Sequence, residues 1–321
     1  MATTSVTTMQ HQYIFGPVPS RRLGMSLGID LVPHKTCSLN CVYCESGETT
    51  NLTVTRKEYV PTDAVISEID RVLSEHPVLD VVTFSGSGEP TLHSGLGRIA
   101  RHVKEHFPEY RTVLITNGTL FSDPDLRRDV ASIDCIIPSL DAASPELFGA
   151  VCRPHPDLDP DTIIQGLVDL RAEYKGEIWL EIFIVPDTND TPEEIARLRD
   201  AVAAIAPDKV QLNTLDRPGT CGWVRPASQE SLEAVVAGLE YPNVTICGRA
   251  LAGRKYTGPQ AETAGEILAT IARRPCTIDD LSRVLGLHAH EVSKYIGSFM
   301  DEGKIRSEEG PRGTFFVPVD Q

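Results

Sequence analysis

The chain has 321 residues, enough for one large hydrophobic core and a small second unit beside it. Its 45 acidic side chains outweigh 30 basic ones for a formal charge of -15. A polyanion therefore meets an unfavourable average field, and nucleic acid is not the default partner, although a local basic groove would override that average. No stretch approaches the ~20 apolar residues that cross a bilayer. The opening MATTSVTTMQ lacks the basic start and apolar run of a signal peptide. A soluble, cytoplasmic protein with reduced cysteines is expected.

From Ser26 onward, apolar runs bounded by Gly, Pro and polar residues alternate with longer amphipathic stretches. That alternation predicts an α/β fold, a parallel sheet covered by helices. The expected strands are SLGIDLV, DVVTFSG, RTVLITN, CIIPSLD, IWLEIFIV and KVQLNTL. The expected helices between them are PTDAVISEIDRVLSEH, GLGRIARHVKEHF, DPDLRRDVAS, DPDTIIQGLVDLRAEY and TPEEIARLRDAVAAIA, with starting residues such as Thr62 and Asp161 near their fronts. Six βα units fall short of the eight of a closed barrel and predict a partial (β/α)6 TIM-like barrel, its working loops at the carboxyl ends of the strands.

Beyond the last unit, SQESLEAVVAGLE reads as another helix and YPNVTICGRALAGRKYTGPQ has the Gly and Pro content of a linker. The tail reads as three short helices and a two-stranded ribbon, with Thr277 capping the second helix and Gly286 in the turn before the third. The expected division is a barrel over 1–245, a linker over 246–257 and a winged helix-turn-helix domain over 258–321.

The segment KTCSLNCVYCESG sets Cys37, Cys41 and Cys44 on a C-x3-C-x2-C spacing just after the first expected strand. Three thiolates on one short loop grip three corners of an iron–sulfur cube and leave the fourth iron open to a substrate or cofactor. The alternatives are a zinc knuckle, with His34 as the nearest further ligand, or three unrelated buried thiols. The remaining cysteines, Cys135, Cys152, Cys221, Cys247 and Cys276, show no close-set ligand spacing and read as buried or free thiols.

With Tyr43 directly before Cys44, this loop resembles the signature of the radical S-adenosylmethionine (radical SAM) superfamily. Ser87, Gly88, Glu89 and Pro90 at the end of the second strand look like that family's GGEP segment, with Ser87 in place of the first glycine. The resemblance implies a four-iron, four-sulfur (4Fe-4S) cluster on Cys37, Cys41 and Cys44, with S-adenosyl-L-methionine at the open iron. It implies that Glu89 meets the ammonium of the methionine moiety. It also implies that Thr116 and Asn117, then Ser139 and Asp141, carry polar groups to its carboxylate and ribose. Glu181, an acid in an otherwise apolar strand, is expected to line the barrel interior or to pair with a buried arginine. Gln211 and Asn213 are placed near the adenine or the substrate. Reductive cleavage of the cofactor then yields a 5′-deoxyadenosyl radical that takes hydrogen from a small molecule or a peptide, the electron coming from a flavodoxin or ferredoxin.

The opening Phe15-Gly16-Pro17-Val18-Pro19-Ser20-Arg21-Arg22-Leu23-Gly24, with Arg153-Pro154-His155 and Leu212-Asn213-Thr214, is similar to a subgroup named after the wyosine-tRNA imidazoline synthetases. Those tRNA enzymes carry extra cysteines ahead of the signature, whereas Cys37 is the first cysteine here, which counts against the same reaction. Arg21, Arg22, Arg153 and His155 are candidates for an anion pocket; equally, the paired arginines would tie the amino-terminal arm to acids of the barrel. The tail raises an iron–sulfur-dependent DNA-binding regulator as a rival. Seven basic against ten acidic side chains over 258–321 favour instead protein docking or covering of the barrel.

Overall fold

The computed structural model describes residues 12–20, 22–247, 260–287 and 289–319. Its centre is a curved eight-stranded sheet. In chain order the amino-terminal part contains β1 (Ile14–Ser20), β2 (Gly24–Ile29), the short pair β3 (Thr36–Cys37) and β4 (Asn51–Leu52), α1 (Thr62–Leu73), β5 (Val81–Phe84), α2 (Leu96–His106) and β6 (Arg111–Thr116). There follow α3 (Pro124–Asp129), β7 (Cys135–Pro138), α4 (Pro145–Cys152), α5 (Pro160–Glu173), β8 (Glu177–Ile184), α6 (Pro192–Ile205), β9 (Lys209–Thr214), α7 (Gln229–Leu239) and β10 (Val244–Ile246). The strand order is β1-β2-β5-β6-β7-β8-β9-β10, parallel throughout except for β1, which runs antiparallel to β2.

Capping residues start several helices, although α1 begins at Thr62 without a side-chain cap and α5 is capped by Asp159 and not by Asp161. Asp159 accepts from the Thr162 amide, Thr191 from Glu194 and Ser228 from Ser231, and proline opens α3, α4, α5 and α6. Side chains alternate across each strand. In β8, Ile178, Leu180 and Ile182 join the large core beneath the helices, whereas Trp179 joins an inner cluster with Leu23, Val81, Val113, Cys135 and Ile137. This inner cluster plugs the amino-terminal end of the half-barrel. One alternation further along, the interior turns polar: the Ser26 and Thr83 hydroxyls lie 2.5 Å apart, and Glu181 stands beside Gln211 in register. The curved sheet thus has a dry floor and a wet upper storey.

Three elements depart from expectation. β1 holds two prolines and a glycine and was read only as a motif; as an antiparallel edge strand with a register shift between Phe15 and Val18, it tolerates both prolines. β10 lies where a linker was expected, so the sheet gains a seventh parallel strand among the described residues and runs to Ile246, past the expected barrel limit at 245. α4 is an eight-residue helix between two loop motifs.

The tail contains α8 (Gln260–Arg273), α9 (Ile278–Leu285), α10 (Ala289–Asp301) and an antiparallel ribbon of β11 (Ile305–Gly310) and β12 (Gly313–Pro318). It has a core of its own, with Ile267, Ile271, Leu281, Val292, Ile296 and Phe316 buried together. A reciprocal capping box between Thr277 and Asp280 opens α9, and Gly286 closes it in the left-handed conformation. Charged side chains join the tail to the barrel. Arg312 forks onto both Asp280 oxygens at 2.9 and 2.8 Å and bonds Asp216 at 2.9 Å, while Arg217 meets Asp280 at 3.8 Å.

Candidate active site at the carboxyl end of the sheet

The cysteine loop is built from β3 outward. Cys37 ends β3, its carbonyl accepting from the Thr53 amide at 2.9 Å, and a turn from Cys41 to Cys44 closes with the Cys44 amide on the Cys41 carbonyl at 3.2 Å. The stretch 39–42 then packs on the end of α4 and the turn after it, with Leu39 bridged to Pro154 and the Val42 amide on the Val151 carbonyl at 3.0 Å. The buried Lys35 turns back to place its Nζ 3.0 Å from Cys44 Sγ. Asn117 Nδ2 lies 3.5 Å from Cys37 Sγ and donates to Ser38 Oγ at 2.8 Å. Burial, helped by Glu89 and Cys41, pushes the Cys37 thiol up to about 12. Such a thiol ionises only when a cation takes the place of its proton, which is what iron ligation supplies. Among the described residues no three His, Cys, Asp or Glu side chains converge as a single metal ion requires, and His34, the possible zinc ligand, is exposed.

Tyr43 and Asp141 hold the loop from behind. The Tyr43 ring stacks on Phe183, centroids 3.7 Å apart, and its hydroxyl donates to Asp141 Oδ2. Asp141 also accepts from the Phe183 amide at 2.8 Å and the Cys152 thiol at 3.8 Å. Burial raises the Asp141 carboxyl to about 6, against the opposing pull of the Tyr43 hydrogen bond. Within the protein, Asp141 Oδ2 takes two donors and Oδ1 takes the Phe183 amide, so its bonds brace Tyr43 and the cysteine loop.

Glu89 is the girder of the facing loop. Its Oε1 accepts from the Thr91 amide, the Thr91 hydroxyl and the Thr116 hydroxyl at 3.0, 2.6 and 2.6 Å, and its Oε2 accepts from the Asn117 amide at 2.7 Å. Burial raises its pKa while these donors lower it. Only Oε2 keeps spare acceptor capacity, and the Thr116 hydroxyl is spent on the girder. Pro90 opens the turn that Glu89 caps. Gly88 sits flush against the strand leading to Cys37, because an added Cβ would stand 2.2 Å from the Thr36 carbonyl oxygen. Ser87 has a partner that a glycine would lack: its amide and hydroxyl donate to Asp30 Oδ2 at 3.1 and 3.0 Å. Asp30 Oδ1 is buried without a hydrogen-bond partner among the described residues.

In the polar storey, Arg22 pairs with Glu181 and reaches Gln211 Oε1 at 3.4 Å. Glu181 therefore both faces the interior and is matched by an arginine, and Ser139 is bridged to it across the strands. Asn213 turns its Oδ1 onto the Thr214 amide at 3.0 Å. Among the described residues, the candidates for an anion pocket stand apart from one another. Arg22 ties the amino-terminal arm to the barrel; Arg153 is exposed in the left-handed cap of α4; His155 sits beside Ser38 through a 2.9 Å backbone bond; and Arg21 lies outside the described residues. Sequence reading did not single out Lys35, Asp30, Cys152 as a neighbour of Cys41, or Arg217, which bonds Glu45 next to Cys44 at 3.0 Å. Cys152 had a signal, its place directly before the Arg153-Pro154-His155 motif.

Comparison with known proteins agrees with this geometry. The family model described as the radical SAM superfamily matches residues 31–199. A UPF0026 protein of Methanocaldococcus jannaschii is 33% identical over 225 residues, 70% of each chain. A protein of Brachyspira hyodysenteriae named GTPase Obg is 33% identical over 296 residues, 92% of this chain, and this chain spans only 43% of its length. Among solved structures, TYW1 with a lysine-pyruvate adduct bound superposes with a TM-score of 0.50 at 15% identity, covering 71% of this chain and 76% of that one, a likeness of fold. The loop, the girder beside it and the family match together mean that this chain belongs to the radical SAM superfamily, enzymes that bind a 4Fe-4S cluster and S-adenosylmethionine.

Proposed function

We propose that Cys37, Cys41 and Cys44 hold the cluster, and that the chain takes hydrogen from a small-molecule or peptide substrate seated in the polar storey. The observation that carries this reading is the convergence of the three-cysteine loop, the Glu89 girder and the Arg22–Glu181–Gln211 layer at one end of the sheet. When bound, the cluster and S-adenosylmethionine supply a 5′-deoxyadenosyl radical, competent against an unactivated carbon. The protein's own residues do the positioning. Ser87 and Gly88 present backbone beside Cys37, Glu89 Oε2 offers its remaining lone pair to an ammonium, and Ser139, Gln211 and Asn213 line the approach to the substrate. The hydrophobic floor below keeps that space closed to water from the amino-terminal side. The electron enters from a small donor protein such as a flavodoxin or ferredoxin.

The tail reads as a winged helix that covers the barrel rather than binding DNA. Arg312 stands between the two ribbon strands, at the tip a DNA-binding wing would present, and is taken up by Asp216 and Asp280. The wyosine-type tRNA reaction stays second to the small-molecule or peptide reading, because the cysteines it would use ahead of Cys37 are missing.

Anaerobic incubation with S-adenosylmethionine and dithionite tests the reading. Release of 5′-deoxyadenosine, abolished by Cys37→Ala, is expected. Zinc in protein purified under anoxia, or iron and inorganic sulfide retained after all three cysteines become alanine, would overturn it.

A further inference from the structure

The end of α4, packed behind the cysteine loop, places a fourth thiol against one of the three. Leu39 is bridged to Pro154, the Asn40 amide is shared between the Cys152 carbonyl at 3.0 Å and the Arg153 carbonyl at 3.2 Å, and the Val42 amide bonds the Val151 carbonyl at 3.0 Å. These bonds flank Cys41 and lay its backbone against the carboxyl end of α4, where Cys152 is the last helical residue. The side chains do meet: the Cys152 thiol shares contact with Cys41 and with Asp141 Oδ2, the latter at 3.8 Å. Cys152 is 1% exposed, whereas Cys41 is partly accessible, so only one of the two is open to a solvent oxidant.

We propose that Cys41 and Cys152 are an oxidative modification site, closing to a disulfide when the cluster is absent and a peroxide arrives. Cys41 takes one oxygen from hydrogen peroxide, becoming a sulfenic acid as the first water leaves. The Cys152 sulfur then attacks the Cys41 sulfur; the new S–S bond forms, the S–O bond breaks, and hydroxide departs with the Cys152 proton as the second water. The two thiols lose two electrons in all, and the peroxide O–O bond accepts them. With both thiols held in one chain, the second step is intramolecular, which favours it over attack by an outside thiol. The disulfide stops Cys41 from being carried up to the sulfinic state, from which thiol reductants do not recover it. A dithiol reopens the bond and restores the ligand. Cys221 is also near the loop, its amide on the Val42 carbonyl at 2.9 Å, and is therefore a competing partner that the mapping must separate.

The pairing itself does not depend on the proposed function; its consequence for cluster reloading does, so the experiment reads the two separately. Full-length apoprotein is treated with hydrogen peroxide, blocked, digested without reductant and mapped by mass spectrometry. A peptide linking Cys41 to Cys152, lighter by two hydrogens and lost on dithiol treatment, is expected. Cys41 found linked to Cys37, Cys44 or Cys221, or over-oxidised while Cys152 stays reduced, would overturn the proposal. In the second arm, wild type, Cys152→Ser and Cys152→Ala are taken through peroxide, then dithiol, then iron and sulfide, each compared with its own unoxidised loading. Wild type should recover at least severalfold more cluster than either variant; equal recovery would overturn the protective role while leaving the mapped bond intact. If the unoxidised wild type takes up no iron and sulfide, it is the proposed function that fails, and the peptide map still decides the pairing.

Discussion

At the scale of single residues, Glu89 carries more of the site than a cofactor contact alone would ask of it. Four donors converge on its two oxygens, from Thr91, Thr116 and Asn117, and the last of these also lies beside Cys37. Glu89→Gln keeps the shape but turns one acceptor into an NH2 group, which must face an N–H or hydroxyl already donating. A buried donor left without a partner costs about 1–3 kcal/mol, more when the lost acceptor was charged. The variant should lower the urea midpoint of the apoprotein by that order and reduce iron and sulfide uptake, since Asn117 is displaced. Thr116→Val removes one of three donors on Oε1 and should cost about 1 kcal/mol with near-normal uptake. An unchanged midpoint for Glu89→Gln would show that the girder bears no load. The residue types of this site were legible in the sequence because its chemistry is carried by a short spacing and by strand ends. Which donors each carboxylate takes was not legible, because Asp141 and Glu89 carry the same functional group, are equally buried, and differ only in the neighbours that the fold brings to them.

At the scale of elements, the six parallel strands from β2 to β9 and the helices between them follow from runs of apolar residues long enough to outweigh local ambiguity. The missed elements are short or written in turn-forming residues: β10 has three residues inside a Gly-rich stretch, and β1 has Gly16, Pro17 and Pro19. Neither could be read locally, since the neighbouring strand, and not the propensity of the segment, makes it a strand. The loops at the strand ends depend on close backbone contact, and Gly88 tests that. A methyl group there meets the Thr36 carbonyl oxygen at 2.2 Å and Val32 Cγ2 at 2.6 Å. Overpacking of this kind costs roughly 1–3 kcal/mol, and here it falls on the strand that ends in Cys37. Gly88→Ala should weaken S-adenosylmethionine binding by about tenfold or more, with the far-ultraviolet dichroism unchanged. Gly149→Ala, with nothing within 4 Å of the added carbon, serves as the control and should bind as wild type does. Calorimetric titration of the reconstituted proteins decides between local distortion and indifference.

At the scale of the whole molecule, the tail and the barrel meet through charge as well as through apolar contact, and that junction reaches the cluster loop. Asp280 sits at its centre, 9% exposed at the side chain, forked by Arg312, approached by Arg217 and closing the capping box of α9. Burial alone would raise its carboxyl, but the Arg312 hydrogen bonds, Arg217 and the Thr277 amide outweigh it and hold the pKa at about 2, below the ordinary 3.8. A carboxylate with a depressed pKa contributes stability that is complete above the unfolded value and disappears as the pH falls through the folded one. The gap is worth ~2 kcal/mol. Wild-type apoprotein should therefore exceed Asp280→Asn by a constant margin from about pH 4 upward, and the margin should shrink towards pH 2. The margin itself should come to about 3 kcal/mol, since the variant leaves Arg312 and Arg217 short of a countercharge. Hydrogen exchange of the α9 and α10 amides against pH reads this directly, and a pH-independent margin would mean that the ion pairs do not hold the tail in place. Arg217 also bonds Glu45, which follows Cys44, so release of the tail should loosen the support of the third proposed ligand. The reconstituted Asp280→Asn protein should then lose its cluster absorbance in air faster than wild type, at a pH where both remain folded.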